Sequence, residues 1–269
     1  MSVRKSYHLQ VIGFLIICLH LLPIYITVVA SFKDKTDLSS KWLLPDYFSV
    51  DHFTNAVDGG FFSALYNTII ITFFTVLLVV IVGAMTGYAL ARLKNVVTNI
   101  VLYATLGVMM VPEISLIVPL YKTMMNLHAI NTFWGIILLG ATYSLPLSIF
   151  IYTNFIKSIP KELDEAAEMD GCSPLQTFFR IILPQLGPVT ASILILIGVK
   201  IFNQFLFPLY FLQAPEMRMI TTYISTFFNE NSNVNEASAA ALLGTLPVIL
   251  AYIFLQKYFV RGAMEGIGK

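Results

Sequence analysis

Charged residues are scarce in this 269-residue chain, at 12% of positions against roughly 25% in an ordinary soluble protein. That shortage excludes a solvated disordered chain and a charge-laced coiled coil. Cysteine occurs twice, as Cys18 in an apolar run and Cys172 in a polar loop. A disulfide scaffold is therefore excluded, and the redox compartment stays open. The four histidines, His8, His20, His52 and His128, are too scattered for a metal cluster or for the dense acid–base site of a membrane enzyme. His20, alone in an apolar run, reads as structural. No long basic run accompanies the formal charge of +1, so nothing points to a nucleic-acid partner. What fills the chain instead is apolar: 57% hydrophobic residues, 21 phenylalanines and a mean hydropathy of +0.79. The sequence is that of an integral membrane protein.

A bilayer core of about 30 Å needs about 20 apolar helical residues. Uncharged or nearly uncharged runs supply six spans, at about 11–30, 67–91, 99–121, 133–156, 185–207 and 238–257, within a single domain 1–269. The first is too long for a signal-peptide core of roughly 7–15 residues and reads as a retained helix. Long runs rather than short alternating ones exclude a β-barrel. With the N-terminus inside, ten Lys and Arg fall on the cytoplasmic side: Arg4, Lys5, Arg92, Lys94, Lys157, Lys161, Arg180, Lys257, Arg261 and Lys269. Five fall outside, namely Lys33, Lys35, Lys41, Lys122 and Arg218, with Lys200 inside a span. The positive-inside rule thus places both termini in the cytoplasm. An acidic loop 32–66 and a loop of about 213–236, with a polar run Asn229–Asn235, are expected outside.

The cytoplasmic loop 160–184 carries the clearest local pattern. Pro160 suits a first helical position, and Glu162, Asp164 and Glu165 suit the positive end of a helix. Gly171 can stop that helix in positive φ. Ser173, Pro174, Leu175 and Gln176 then read as N-cap to N3 of a second helix, with Ser173 and Gln176 at capping-box spacing. Leu163, Ala166 and Ala167 share one side by i, i+3, i+4 spacing.

Glu165-Ala166-Ala167, three residues, Gly171, nine residues, then Ile181, Leu183 and Pro184 resemble the EAA loop of bacterial ABC importer permeases. The match holds without a gap. Further stretches resemble the maltose-type, MalG-like carbohydrate permeases: Asn67-Thr68, Tyr88 to Arg92, Pro119 to Tyr121, Asn131-Thr132, Asn203 with Pro208-Leu209, Pro247, and the tail Gln256 to Lys269. The resemblance implies an all-α, six-helix type I ABC importer transmembrane domain in the bacterial inner membrane. Its EAA loop would be a coupling helix seated on a separate ATPase. Glu165 would pair with a base there, Ala166 and Ala167 would permit close approach, and Gly171 would make the turn. Implied partners are a second permease, two ATPase subunits, an extracytoplasmic sugar-binding protein and membrane lipid. ATP and Mg would bind the ATPase, leaving this chain with no cofactor, metal or catalytic residue. The tail, whose Gly262 to Gly268 spacing does not fit a phosphate loop, would reach toward the ATPase interface.

Other residues carry two readings each. Glu113 and Lys200 are ionisable groups inside apolar runs, where a charge usually faces a cavity or a partner. Glu113 either lines a pathway opened by Pro112 or forms a structural pair, and Lys200 lines it, snorkels or bonds inside the bundle. Asn203 and Gln204 follow one turn later, with Gln204 where relatives carry an acid. Tyr143 and Ser144, like Asn154, either touch a sugar or bond between helices. Gly83 and Gly87 form a GxxxG spacing for close packing, within this subunit or with the partner. Glycerol-3-phosphate or another small polar solute is the alternative cargo. An autonomous secondary transporter, the rival class, should show paired broken helices in internal repeats, which the sequence lacks.

Overall fold

The structure is a computed structural model. It describes residues 3–34, 36–37, 39–93, 95–229 and 233–267, with side chains from residue 9 to 254 and at Gln256. Lys35, Lys94, the loop tip at 230–232 and the end of the tail at Gly268 and Lys269 lie outside the described residues, as do the side chains of the tail from 257. The described residues hold no strand, only an isolated bridge between Lys33 and Phe48. Thirteen α-helical pieces follow in order: α1 (Val3–Phe32), α2 (Asp51–Ala56), α3 (Phe62–Arg92), α4 (Val96–Val108), α5 (Ile117–Asn126), α6 (Phe133–Ser158), α7 (Glu162–Met169), α8 (Pro174–Thr177), α9 (Leu183–Gln185), α10 (Gly187–Phe202), α11 (Leu206–Phe211), α12 (Ile220–Asn229) and α13 (Val234–Ile267).

Four stretches are long and apolar enough to cross a membrane: Leu9–Phe32, Asp51–Arg92, Phe133–Ser158 and Val234–Phe254. Two further candidates are not straight. The helical axis turns by 92° between Val96–Val108 and Glu113–Asn126, and by 75° between Pro174–Gln185 and Gly187–Phe202. The span expected at 99–121 thus contains a break, at the Pro112 that could open it. Proline disfavours helical geometry at the residue before it, and Pro112 itself sits extended at ψ 128°. With 13 residues α4 reaches about 20 Å, short of a bilayer core. At the second elbow Pro188 occupies the first turn of α10, where its missing N–H is harmless.

The chain divides into two compact units, residues 1–65 with 222–246, and residues 66–221 with 247–269. In the first unit the most hydrophobic stretch of α1 contains no buried residue. Its end is fastened at Lys33, which is fully buried although the sequence places it in a solvated loop. The Lys33 ammonium lies 3.3 Å from Asp37 and donates to Ser39 Oγ and to the Ser40 carbonyl. Hydrogen bonds from Ser39, and behind them the Lys33 charge, hold the Asp37 carboxyl below its ordinary value. The Lys33 carbonyl in turn accepts from His52 Nε2 at 2.8 Å and Asn235 Nδ2 at 3.1 Å. Lys41 reaches Asn235 Oδ1, and Asn55 reaches Glu236 Oε1, both at 3.0 Å. The "acidic loop" of the sequence is thus folded around one buried lysine, and Asn235 of the polar run is a buried structural residue.

The second unit holds the main core, including Ile71, Val79, Tyr152, Ile156, Ile193 and Ile197. Without a hydrophobic driving force in lipid, close van der Waals contact must supply much of the cohesion. The GxxxG pair supplies it within this chain. A Cβ on Gly83 would collide with Ser148 Oγ, and one on Gly87 would come within 2.6 Å of Tyr152 Cβ and 3.1 Å of the Thr153 backbone nitrogen. At the opposite end from the EAA loop, two Asn-Thr pairs do parallel work. Asn67 Nδ2 donates to the Glu216 and Arg218 carbonyls, and Thr68 Oγ1 accepts from Ile220 N–H. Asn131, at φ +55°, accepts with Oδ1 from the Gln213 and Ala214 amides, and Thr132 caps α6. Asn67, Thr68 and Asn131 thus satisfy backbone groups of the segment 213–220.

Overpacking at the rigid α3–α6 contact should cost about 1–3 kcal/mol. Gly87→Ala is therefore expected to lower the thermal aggregation midpoint of the purified protein. Gly107→Ala, which meets no atom within 4 Å, should leave it level or raise it.

Candidate functional site

The EAA loop folds as two short helices joined by a tight turn. Its first helix begins two positions later than Pro160 would predict, at Glu162. Lys161 is the N-cap, because its carbonyl accepts from both the Asp164 and Glu165 amides at 2.9 and 3.1 Å. Glu162, Asp164 and Glu165 fill the first turn of α7, where carboxylates meet unpaired N–H groups. The helix stops in a Schellman turn. Gly171 takes φ +80°, its N–H bonds the Glu168 carbonyl, and the Cys172 N–H bonds the Ala167 carbonyl, both at 2.9 Å. Only a residue tolerant of positive φ fits there. Ser173 then caps α8 in a full capping box: Ser173 Oγ accepts from Gln176 N–H and Gln176 Oε1 accepts from Ser173 N–H.

Within α7 only Ala167 is buried; Glu165, Ala166, Glu168 and Met169 face outward. Leu163, grouped with the alanines by spacing, is 38% exposed. The helix thus sits on the bundle through one small side chain and presents acids, an alanine and an exposed methionine to whatever lies beyond. Ile181 and Leu183 are half-buried and Pro184 exposed, while the neighbouring Ile182 and Leu186 are completely enclosed.

What holds this loop was not marked as a site by the sequence. Arg92, the last residue of α3, lies between three structures. Its Nη1 donates to the Ile156 and Ile159 carbonyls at 3.1 and 3.2 Å, satisfying the open end of α6. Its Nη2 lies 2.7 Å from Asp164 Oδ2, with the two side chains only 12% and 19% exposed. The other oxygen of Asp164 accepts from Tyr88 Oη at 2.8 Å, and the Tyr88 ring rests on Phe178 of the second half of the loop, centroids 5.3 Å apart. Tyr88, Arg92 and Asp164 also line a pocket of about 480 Å³ that includes Lys161 and Glu165. The available signals were the stretch Tyr88 to Arg92 and the Asp that precedes Glu165; their union across 72 residues of chain has no local signature.

The membrane-depth candidates separate into two groups. Glu113, Tyr143, Ser144 and Lys200 line one pocket of about 140 Å³ at the α4 break, beside Pro146 of α6. Glu113 Oε1 and Lys200 Nζ are 3.0 Å apart, and Lys200 also approaches the Tyr143 carbonyl at 3.5 Å. Asn203 instead bonds its own helix, donating to the Val199 carbonyl, and the Gln204 carbonyl accepts from Thr221. Neither belongs to that pocket. Asn154 is exposed elsewhere on α6, and His20 bonds the Ile16 carbonyl one turn back. Among the described residues no group of three His, Cys, Asp or Glu could hold a metal ion.

Residues 79–264 match the family described as "binding-protein-dependent transport system inner membrane component". The chain belongs to this family. The matched stretch contains Tyr88, Arg92, the whole EAA loop and the Glu113–Lys200 pocket. Among relatives of this transport-system component is the melibiose/raffinose/stachyose import permease MelC of Bacillus subtilis, 36% identical over the full length of both chains. The arabinooligosaccharide permease AraQ of the same organism is 31% identical, covering 92% of this chain and 90% of that one. The trehalose permease SugB of Mycobacterium tuberculosis is 30% identical over the full length of both. A crystal structure of a bacterial ABC transporter involved in import of the polysaccharide alginate shares the fold, with a TM-score of 0.81 over 96% of each chain at 22% identity. The chain is accordingly an all-helical inner-membrane permease component.

Leaving one partner of a buried ion pair alone costs about 3–5 kcal/mol, and slight exposure here places the expectation at the low end. Arg92→Met and Asp164→Asn should each lower the unfolding midpoint, and the double variant should lose much less than the sum, as a double-mutant cycle would read. Arg92→Lys should recover under half of the loss, since one ammonium cannot serve three acceptors in a fork.

Proposed function

We propose that the chain is one permease subunit of an ATP-driven importer for a sugar or oligosaccharide delivered by a binding protein. The observation that carries this reading is the EAA loop: a capped, Schellman-closed helix pair, fixed to the bundle by Arg92 and Asp164, with Glu165 and Ala166 left outward. Such a rigid acidic knob suits docking into a basic cleft. The relatives named for melibiose, raffinose, arabinooligosaccharides and trehalose support the cargo class.

In this reading the chain pairs with a second permease, two ATPase subunits and an extracytoplasmic sugar-binding protein. ATP and Mg bind the ATPases, and this chain carries out no catalysis. The broken pair Val96–Val108 and Glu113–Asn126 counts as one span and α10, beyond the arm of the EAA loop, as another, giving six, with both termini cytoplasmic by the Lys/Arg bias. Closure of the ATPases on ATP moves the EAA helices as rigid bodies and switches access to the pathway. Glu165 makes the ion pair to the ATPase, Ala167 seats α7 on its own bundle, and Ala166 and Gly171 keep the outward face low and the turn tight. Ile181, Leu183 and Pro184 carry the motion into the elbow before α10. Glu113, Tyr143, Ser144 and Lys200 line the pathway, while Asn203 and Gln204 hold the end of α10 beside it.

Glu165→Lys in the assembled complex should reduce ATP hydrolysis stimulated by sugar-loaded binding protein by at least tenfold. The isolated subunit should keep its unfolding midpoint, because Glu165 is exposed and makes no contact needed for folding. Unchanged stimulated hydrolysis in this variant would overturn the coupling role.

A further inference from the structure

The pair Glu113–Lys200 is too open to be a buried structural bridge. The side chains are 28% and 39% exposed, although both residues interrupt apolar stretches. A charge facing lipid tails is expensive, so these exposed surfaces must meet water or a polar surface. Three irregularities of the bundle meet at the same place: the 92° break after α4, Pro146 inside α6, and the last turn of α10, which carries Lys200. A third polar group is in the same pocket. Ser144 is 1% exposed and its Oγ has no hydrogen-bond partner, an arrangement that costs free energy until something fills it.

The pocket's 140 Å³ equals the volume of about four to five waters. That admits one edge of a sugar ring rather than a whole oligosaccharide. Its chemistry is also self-balanced. The carboxylate accepts, the ammonium donates, and Ser144 does either, so adjacent hydroxyls can be satisfied without importing charge. An anionic or cationic solute would have to break the pair and leave the other member uncompensated.

We propose that this pocket is a subsite for neighbouring hydroxyls of an uncharged sugar, with Glu113 and Lys200 acting as a neutralised pair that discriminates against ionic solutes. The proposal rests on the carbohydrate-import reading. It adds which side chains meet the sugar and why the pathway prefers a neutral one.

The test uses the complete complex with its own partners. ATP-driven uptake of raffinose, maltotriose and trehalose into proteoliposomes is measured first for the wild type; uptake of none of them overturns the carbohydrate reading itself. The transported sugar, radiolabelled, is then titrated onto purified complex without binding protein, alongside labelled glucuronate as the anionic probe. Wild type should bind the neutral sugar and not glucuronate. Glu113→Gln should weaken neutral-sugar binding at least tenfold and gain glucuronate binding, because Lys200 is left unpaired. Lys200→Gln should show the loss without the gain. The swapped double variant Glu113→Lys with Lys200→Glu should regain at least a third of the wild-type affinity, which separates a local effect from misfolding. Wild-type uptake with no sugar binding to the complex, or a Glu113→Gln complex that assembles and keeps wild-type selectivity, would overturn the subsite and leave the import reading standing.

Discussion

A single guanidinium at the end of α3 sets the geometry on which the working end of this molecule depends. Arg92 closes the carbonyl end of α6 with one nitrogen and grips Asp164 of the EAA loop with another. Two costs cancel there: unpaired helix carbonyls and a half-buried carboxylate would each destabilise the fold alone. Because α3 and α6 are themselves locked by the glycine contact with Tyr152, the loop rests on a support that cannot shift independently of the bundle. An EAA helix hung on flexible backbone would absorb a push; one held this way suits the proposed coupling because it would pass the push on.

The local grammar of the loop could be read from the chain before any coordinates. Ser173, Pro174 and Gln176 form the capping box their spacing requires, and Gly171 takes the positive φ its place demands. These features are short-range, so a few residues determine them. The same holds for the apolar stretches, whose composition declares a membrane solvent. Pro160 misled by two positions because the carbonyl that starts α7 belongs to Lys161, and proline fits equally well just ahead of a cap.

What stayed hidden depends on residues distant in the chain. An apolar run conceals a break, and Pro112 with Glu113 was the only sign that the chain turns by 92° within 99–121. Lys33 counted as a loop cation by sequence, yet lies fully enclosed with Asp37 and serine oxygens around it. Glu113 and Lys200 were each suspicious alone, but only the fold brings them to 3.0 Å and sends Asn203 and Gln204 elsewhere. The two Asn-Thr pairs, Asn67-Thr68 and Asn131-Thr132, show the same limit. Thr132 caps α6, whereas Asn67, Thr68 and Asn131 hold one distant segment from two sides.

The elbow at Leu186 has a mechanical consequence. The arm Pro174–Gln185 meets α10 at 75°, so little of a displacement along that arm runs along the α10 axis. Most of it becomes a sideways swing, as in a crank. The throw of that crank is greatest at the far end of its 16-residue shaft, about 24 Å away, and Lys200 is two residues from that end. Under the proposed coupling, a stroke delivered to the EAA loop would be felt as shear at the Lys200–Glu113 contact, whose length would gauge how far the lever had travelled.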